Sequence, residues 1–253
     1  IACDAGYRNC APLGCKPNII LGDFDTAPCP VQQNDDIIVL PHVKDDTDTE
    51  YAAKLASEKG FTEVLLLGAL GGRRIIFHSG SCGRQSREAA LEKALDTMRR
   101  AVEALDEAGY GDMTLCPETM GKIGQLGTLD EVLALCGVDE RITPCIDFGH
   151  LNARTLGGIQ SKADYAVLLD RLGEALGDER ARRFHVHFSR IEFSAGGEKR
   201  HWTFAQTQFG PEPQPLMELL AERRLAPVII CESAGTQAED AQAMKRMYQE
   251  ARG

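Results

Sequence analysis

Ile142-Thr143-Pro144-Cys145-Ile146-Asp147-Phe148-Gly149-His150 decides the fold. An apolar run of strand length ends in a carboxylate, and an imidazole follows three residues later. Runs of the same kind recur along the chain, each followed by a longer stretch of helical pattern. The expected strands are 1–4, 19–24, 37–40, 64–67, 74–78, 113–117, 142–148, 185–188 and 228–231. Over 87–108, Leu91, Leu95, Met98, Val102 and Leu105 form one stripe at three- and four-residue spacing, and Gly109 ends it. Thr128 with Glu131 makes a capping box for a helix that stops at Gly137; Thr47 with Glu50 makes another. Further helices are expected at 161–176, 214–225 and 238–249. Strand alternating with helix means α/β with a parallel sheet, either open or closed into a barrel.

Composition sets bounds on function. The 253 residues are 43% hydrophobic and 26% charged, enough for one barrel or two smaller α/β units. No apolar run approaches the roughly 18 residues of a membrane span, and the opening residues do not read as a secretory signal. The chain opens at Ile1 inside an apolar run, and a fragment or processed product is expected. Net charge is -10; residues 1–73 carry 6 Lys and Arg against 11 Asp and Glu, the remainder 22 against 27. A nucleic-acid binder usually shows a basic footprint, which argues mildly against DNA. Bound cations would reverse the local sign of a carboxylate site. Nine Cys with no Cys-x-x-Cys pair, several inside apolar runs, read as reduced buried thiols in a cytoplasmic protein.

From Arg74 onward, acids and imidazoles fall at the ends of successive strands: His78, Glu118, Asp147, His187 and Glu232. In a (β/α) barrel such positions converge on one mouth. Alternation along a strand places Cys116 with Glu118, Cys145 with Asp147, and His185 with His187. One buried His or one strand-end Glu has an ordinary explanation as a core hydrogen bond or a salt bridge. Five at equivalent positions would repel and be poorly solvated, a penalty that divalent cations remove.

The segments Phe77-His78-Ser79-Gly80, Cys116-Pro117-Glu118-Thr119-Met120-Gly121-Lys122, Cys145-Ile146-Asp147-Phe148-Gly149-His150, His185-Val186-His187-Phe188 and Ile230-Cys231-Glu232-Ser233 resemble, in order, the metal-binding strands of endonuclease IV and its xylose isomerase-like barrel relatives. The resemblance covers residues 74–253. It implies a TIM-type barrel in which Glu118, Asp147, His187 and Glu232 form one complete site. Glu118 would bridge to a second ion held by His78, and a third would sit on His150 and His201. The ions would be Zn²⁺, or alternatively Mn²⁺ or Mg²⁺. The implied chemistry is hydrolysis of a phosphodiester at an abasic site in DNA by a metal-activated hydroxide, with Glu118 as the catalytic residue. Arg154, Lys162, Arg190, Lys199 and Arg200 are the candidates for phosphate contacts. Where the family has an Asp two residues before its last metal-binding His, this chain has Lys199, which weakens the third site. The family's first three strands, with a further metal-binding His, have no counterpart.

A different segment occupies their place. Residues 1–73 hold Gly22-Asp23-Phe24-Asp25-Thr26, Lys44-Asp45-Asp46-Thr47-Asp48 and Gly71-Gly72-Arg73. Clustered carboxylates at strand ends suit Mg²⁺, and Mg²⁺ suits phosphates. The stretch resembles the Rossmann-like nucleotide-binding half of thiamine pyrophosphokinase, which implies Mg²⁺ and ATP contacts from Asp23, Asp25, Asp45, Asp46 and Asp48. The family's β-sandwich has no counterpart after Arg73. The chain therefore reads as a partial pyrophosphokinase segment, 1–73, joined to a barrel, 74–253, either incomplete or completed by the N-terminal strands. Four functions stay open: an abasic-site DNA phosphodiesterase, a sugar isomerase or epimerase of the same superfamily, a thiamine pyrophosphokinase, and an inactive fusion.

Overall fold

The computed structural model describes residues 1–3, 16–24, 29, 36–41, 48–60 and 73–253. They fall into two compact units, Ile1–Gly71 and Gly72–Gly253.

In the first unit, β1 (Ala2–Cys3), β2 (Ile19–Gly22) and β3 (Asp36–Val39) pair in parallel in that order, and α1 (Asp48–Glu58) follows. Leu21, Leu40 and Ala52 are its buried apolar residues, with Cys3, Ile38 and Leu55 packed against them. The expected strand at 64–67 and the capping residue Thr47 lie outside the described residues.

The second unit alternates strand and helix: β4 (Arg74–His78), α2 (Arg87–Glu107), β5 (Thr114–Glu118), α3 (Leu129–Cys136), β6 (Cys145–Asp147), α4 (Phe148–Arg154), α5 (Lys162–Leu176), α6 (Asp178–Ala181) and β7 (His185–Phe188). An antiparallel hairpin follows, β8 (Arg190–Ser194) with β9 (Gly197–Trp202), then α7 (Pro213–Glu222), β10 (Val228–Cys231) and α8 (Gln237–Arg252). Strands β4, β5, β6, β7 and β10 form one wholly parallel sheet in chain order. Sequential neighbours with helical crossovers are the topology of a (β/α) barrel wall.

Alternation along the strands separates core from chemistry. Ile146, Val186 and Phe188 pack with Phe184, Leu169, Leu172, Leu216 and Met244 into the main apolar cluster. Burying each of these large side chains contributes about 1.5–3 kcal/mol, which anchors the strands against α5, α7 and α8. The residues between them, Cys145, Asp147, His185 and His187, share the other face. A second cluster of Met98, Leu115, Val132, Leu135 and Ile142 seats α2 and α3.

The helices begin where their caps require. Ser86 accepts from Ala89 N ahead of α2, and Gly109, at φ 78°, lets the chain turn away after its C-cap, Ala108. Thr128 and Glu131 form the expected capping box on α3. Glu131 also takes N–H bonds from Gly127 at 2.8 Å and Thr128 at 2.9 Å, and Arg87 closes on it at 2.7 Å. The strand expected at 142–148 is shorter, because Asp147 already caps α4: its side chain accepts from His150 N. Among the described residues, no helix is long and apolar enough to cross a membrane. Cys82, Cys116, Cys136, Cys145 and Cys231 are free thiols.

Candidate metal centre

Every ligand position expected from the strand ends is found in the second unit. Glu118 closes β5 and is buried. Its Oε1 lies 2.9 Å from His187 Nδ1 and 3.5 Å from His150 Nδ1, and its Oε2 lies 3.5 Å from His78 Nε2. His187 Nδ1 also faces Glu232 Oε1 at 3.1 Å. One ligand atom from each of Glu118, Asp147, His187 and Glu232 lies within 4.8 Å of every other, and the same holds for His150, His201 and Glu232. Glu232 is common to both groups, and His78 stands at the Glu118 side.

The frame around these side chains is rigid. Thr119 Oγ1 receives Asp147 N at 2.8 Å and donates to Asp147 O at 3.2 Å, tying the ends of β5 and β6 together. Asp147 Oδ1 accepts from His150 N at 2.7 Å, while its Oδ2 is buried, accepts no hydrogen bond and faces His150 Nδ1 at 3.4 Å. His150 Nδ1 lies 2.9 Å from Thr119 O, and His201 Nδ1 lies 2.8 Å from Ser189 Oγ. Gly149 lets α4 approach closely, since a Cβ there would stand 2.6 Å from Ser189 O.

Electrostatics follow from burial and proximity. Desolvation would raise Glu118, but His150, His187 and His78 outweigh it and hold its carboxyl well below the usual range. Glu232 goes the other way: desolvation, then the Asp147 charge, pushes it up to about 7. His150 is raised well above its ordinary value because Asp147, Glu118 and Glu198 overcome its desolvation. His187 is likewise raised, chiefly by Glu118 against burial. His201 is lowered, by burial first, with Asp147 opposing. His185, buried beside His187 and Arg74, falls to about 4.

Glu198 was not among the ligands expected from sequence. It sits on β9 beside Lys199, and its carboxylate lies 3.3 Å from His150 Nε2 and 3.8 Å from His201 Nε2. A carboxylate thus faces these two imidazoles from the residue before Lys199. The hairpin carries it there: Lys122 and Gly197 form a bridge, and Gly197, at φ 93°, leaves no room for a side chain against the Gly121 carbonyl. The alternation in Arg190-Ile191-Glu192-Phe193 and the Gly196-Gly197 turn were the available signals.

The five cations proposed for phosphate contacts have other partners. Arg154 donates to the Met120, Lys122 and Gln125 carbonyls, each at 2.7 Å. Arg190 binds Phe209 O and Glu212, Lys162 pairs with Glu218 and Glu222, and Glu192 holds both Lys199 and Arg200. The buried Asp147 Oδ2, which accepts no hydrogen bond, and the convergent carboxylate and imidazole donors fit divalent cations. In the first unit, Asp23 follows β2 and Asp48 opens α1, whereas Asp25, Asp45 and Asp46 lie outside the described residues.

A family model described as the xylose isomerase-like TIM barrel matches residues 55–250. The chain belongs to that family. A second model, the catalytic domain of thiamin pyrophosphokinase, matches residues 1–74. An uncharacterized protein of Methanocaldococcus jannaschii is 33% identical over 162 residues, 64% of this chain and 58% of that protein, so the matched part spans under two thirds of the relative. A crystal structure of a D-tagatose 3-epimerase-like protein superposes with a TM-score of 0.49 at 17% identity, covering 81% of this chain and 82% of that one. By that family match, the five parallel strands belong to the wall of a xylose isomerase-like barrel.

Proposed function

We propose that this xylose isomerase-like chain is a divalent-metal-dependent phosphodiesterase of the endonuclease IV kind. One observation carries the reading: two donor groups, Glu118–Asp147–His187–Glu232 and His150–His201–Glu232, share the Glu232 carboxylate. Adjacent ions on a common carboxylate are the arrangement of two-metal phosphoryl hydrolysis. Bound there, Zn²⁺, Mn²⁺ or Mg²⁺ would supply Lewis-acid charge neutralisation and an acidified water.

The protein's own groups do the rest. Glu118, held well below the usual carboxylate range, is ready as an anionic donor. Glu232, raised to about 7, is only partly ionised near neutrality without an ion and would give up its remaining proton to a bound cation, so loading would release acid. Thr119 and Ser189 orient Asp147 and His201, and Glu198 anchors the pair His150 and His201. Outer partners of this type hold metal-binding side chains in position.

A second reading, isomerisation or epimerisation of a small sugar, is favoured by a separate observation. The five candidate cations are engaged within the protein and net charge is -10, so no basic track for a duplex is evident among the described residues. Salt separates the two. The metal-loaded protein is incubated with a duplex bearing one abasic site, and separately with a ketohexose, over rising ionic strength. The nuclease reading expects strand cleavage that weakens steeply with salt. Sugar turnover indifferent to salt, without cleavage, would overturn it.

A further inference from the structure

We propose a second kind of metal site directly behind the carboxylate centre: Cys145, His185 and His187 form a nitrogen–sulfur pocket for a soft or borderline ion such as Zn²⁺. The strand register builds it. Cys145 pairs with His185 across β6 and β7, just as Asp147 pairs with His187 one step further along. Cys145 also pairs with Glu118 on its other side, so sulfur and imidazole stand in one row with that carboxylate, one step behind Asp147 and His187.

One ligand atom from each of Cys145, His185 and His187 lies within 4.8 Å of the others, and all three residues are buried. Ligand atoms around a tetrahedral zinc ion stand about 3.5 Å apart, so a small contraction would close the pocket. His185 supplies the independent sign of a missing ligand. Arg74 Nη1 lies 3.5 Å from its Nδ1. Nε2 is left buried with no hydrogen-bond partner, although His185 is only 2% exposed. A buried imidazole nitrogen without a partner is unfavourable, and in the tautomer protonated at Nδ1 the lone pair on Nε2 is free to bind a cation.

Donor chemistry sets the selectivity. Thiolate and imidazole suit Zn²⁺ and other borderline ions, whereas Mg²⁺ and Mn²⁺ prefer the carboxylates of the outer centre. Binding forms one sulfur–metal bond and releases the Cys145 thiol proton to solvent. His187 belongs to both sets, so filling the inner pocket draws on a ligand of the outer centre. This assignment holds whether the outer centre serves a hydrolase or an isomerase.

Co²⁺ titration of the full chain tests it, because only a thiolate ligand gives an intense near-ultraviolet charge-transfer band. The wild type should develop that band, and Cys145→Ser and His185→Asn should each lose it while retaining their circular dichroism. Glu118→Gln should keep the band but lose Mn²⁺ binding measured by electron paramagnetic resonance, which separates the pocket from the outer centre. Absence of the band in wild type carrying bound Co²⁺ would overturn the assignment. So would a band that survives in folded Cys145→Ser.

Discussion

Glu232→Gln should stabilise the metal-free protein and destabilise the metal-loaded one. Without an ion, desolvation and Asp147 raise the Glu232 carboxyl from its ordinary 4.5 to about 7. Below pH 4.5 it is protonated in both the folded and the unfolded chain, and nothing is lost. Between 4.5 and 7 the unfolded chain sheds its proton first, so stability falls as pH rises; above 7 the full penalty holds. Such a shift corresponds to about 3 kcal/mol. The side chain is 33% exposed, and solvent screening reduces the figure to about 2 kcal/mol. In chelator at pH 8 the variant should therefore unfold later in urea, by roughly 1 M for a slope of about 2 kcal/mol/M. Fluorescence of Trp202, the only Trp, reports on β9 in the second unit. At pH 4.5 the two proteins should coincide, and saturating Zn²⁺ should reverse the order. An increment equal at pH 4.5 and 8, or a loss of stability at pH 8 in chelator, would refute the reasoning.

Glu118→Gln should reduce phosphodiesterase turnover to background with the circular dichroism spectrum unchanged; full turnover would remove Glu118 from the chemistry. Glu198→Ala should lower bound Zn²⁺ by about one equivalent in native mass spectrometry, since His150 and His201 lose the carboxylate between them. Equal metal content would show that Glu198 has no part in binding. Glu131→Ala strands two backbone N–H groups and the Arg87 guanidinium, and should cost about 3 kcal/mol in thermal or urea denaturation; a loss below about 0.5 kcal/mol would contradict that network.

Much of the barrel wall was legible because its strands carry strong local signals. The expected bounds of β4, β7 and β10 match the structure, and α2 is one residue shorter than its apolar stripe suggested. The face on which the candidate residues stand was legible too, since period-two alternation puts Asp147 and His187 opposite Ile146 and Val186. The gaps have physical causes. α4 was hidden because Asp147 serves as both strand end and helix cap. The β8–β9 hairpin was hidden by its charges, Glu192, Glu198, Lys199 and Arg200, which mask a half-buried alternation. With it went Glu198, whose role depends on a bridge to Lys122 that no local pattern announces. Charge along the sequence does not reveal that Arg154 and Arg190 are held by backbone carbonyls.

Anomalous diffraction from crystals soaked in Mn²⁺ or Zn²⁺ locates the cation outright. The expected peak lies among Glu118, Asp147, His187 and Glu232, with a neighbour beside His150 and His201. Density confined to surface carboxylates, with those four side chains free of metal, would contradict the assignment of this barrel mouth as a metal centre.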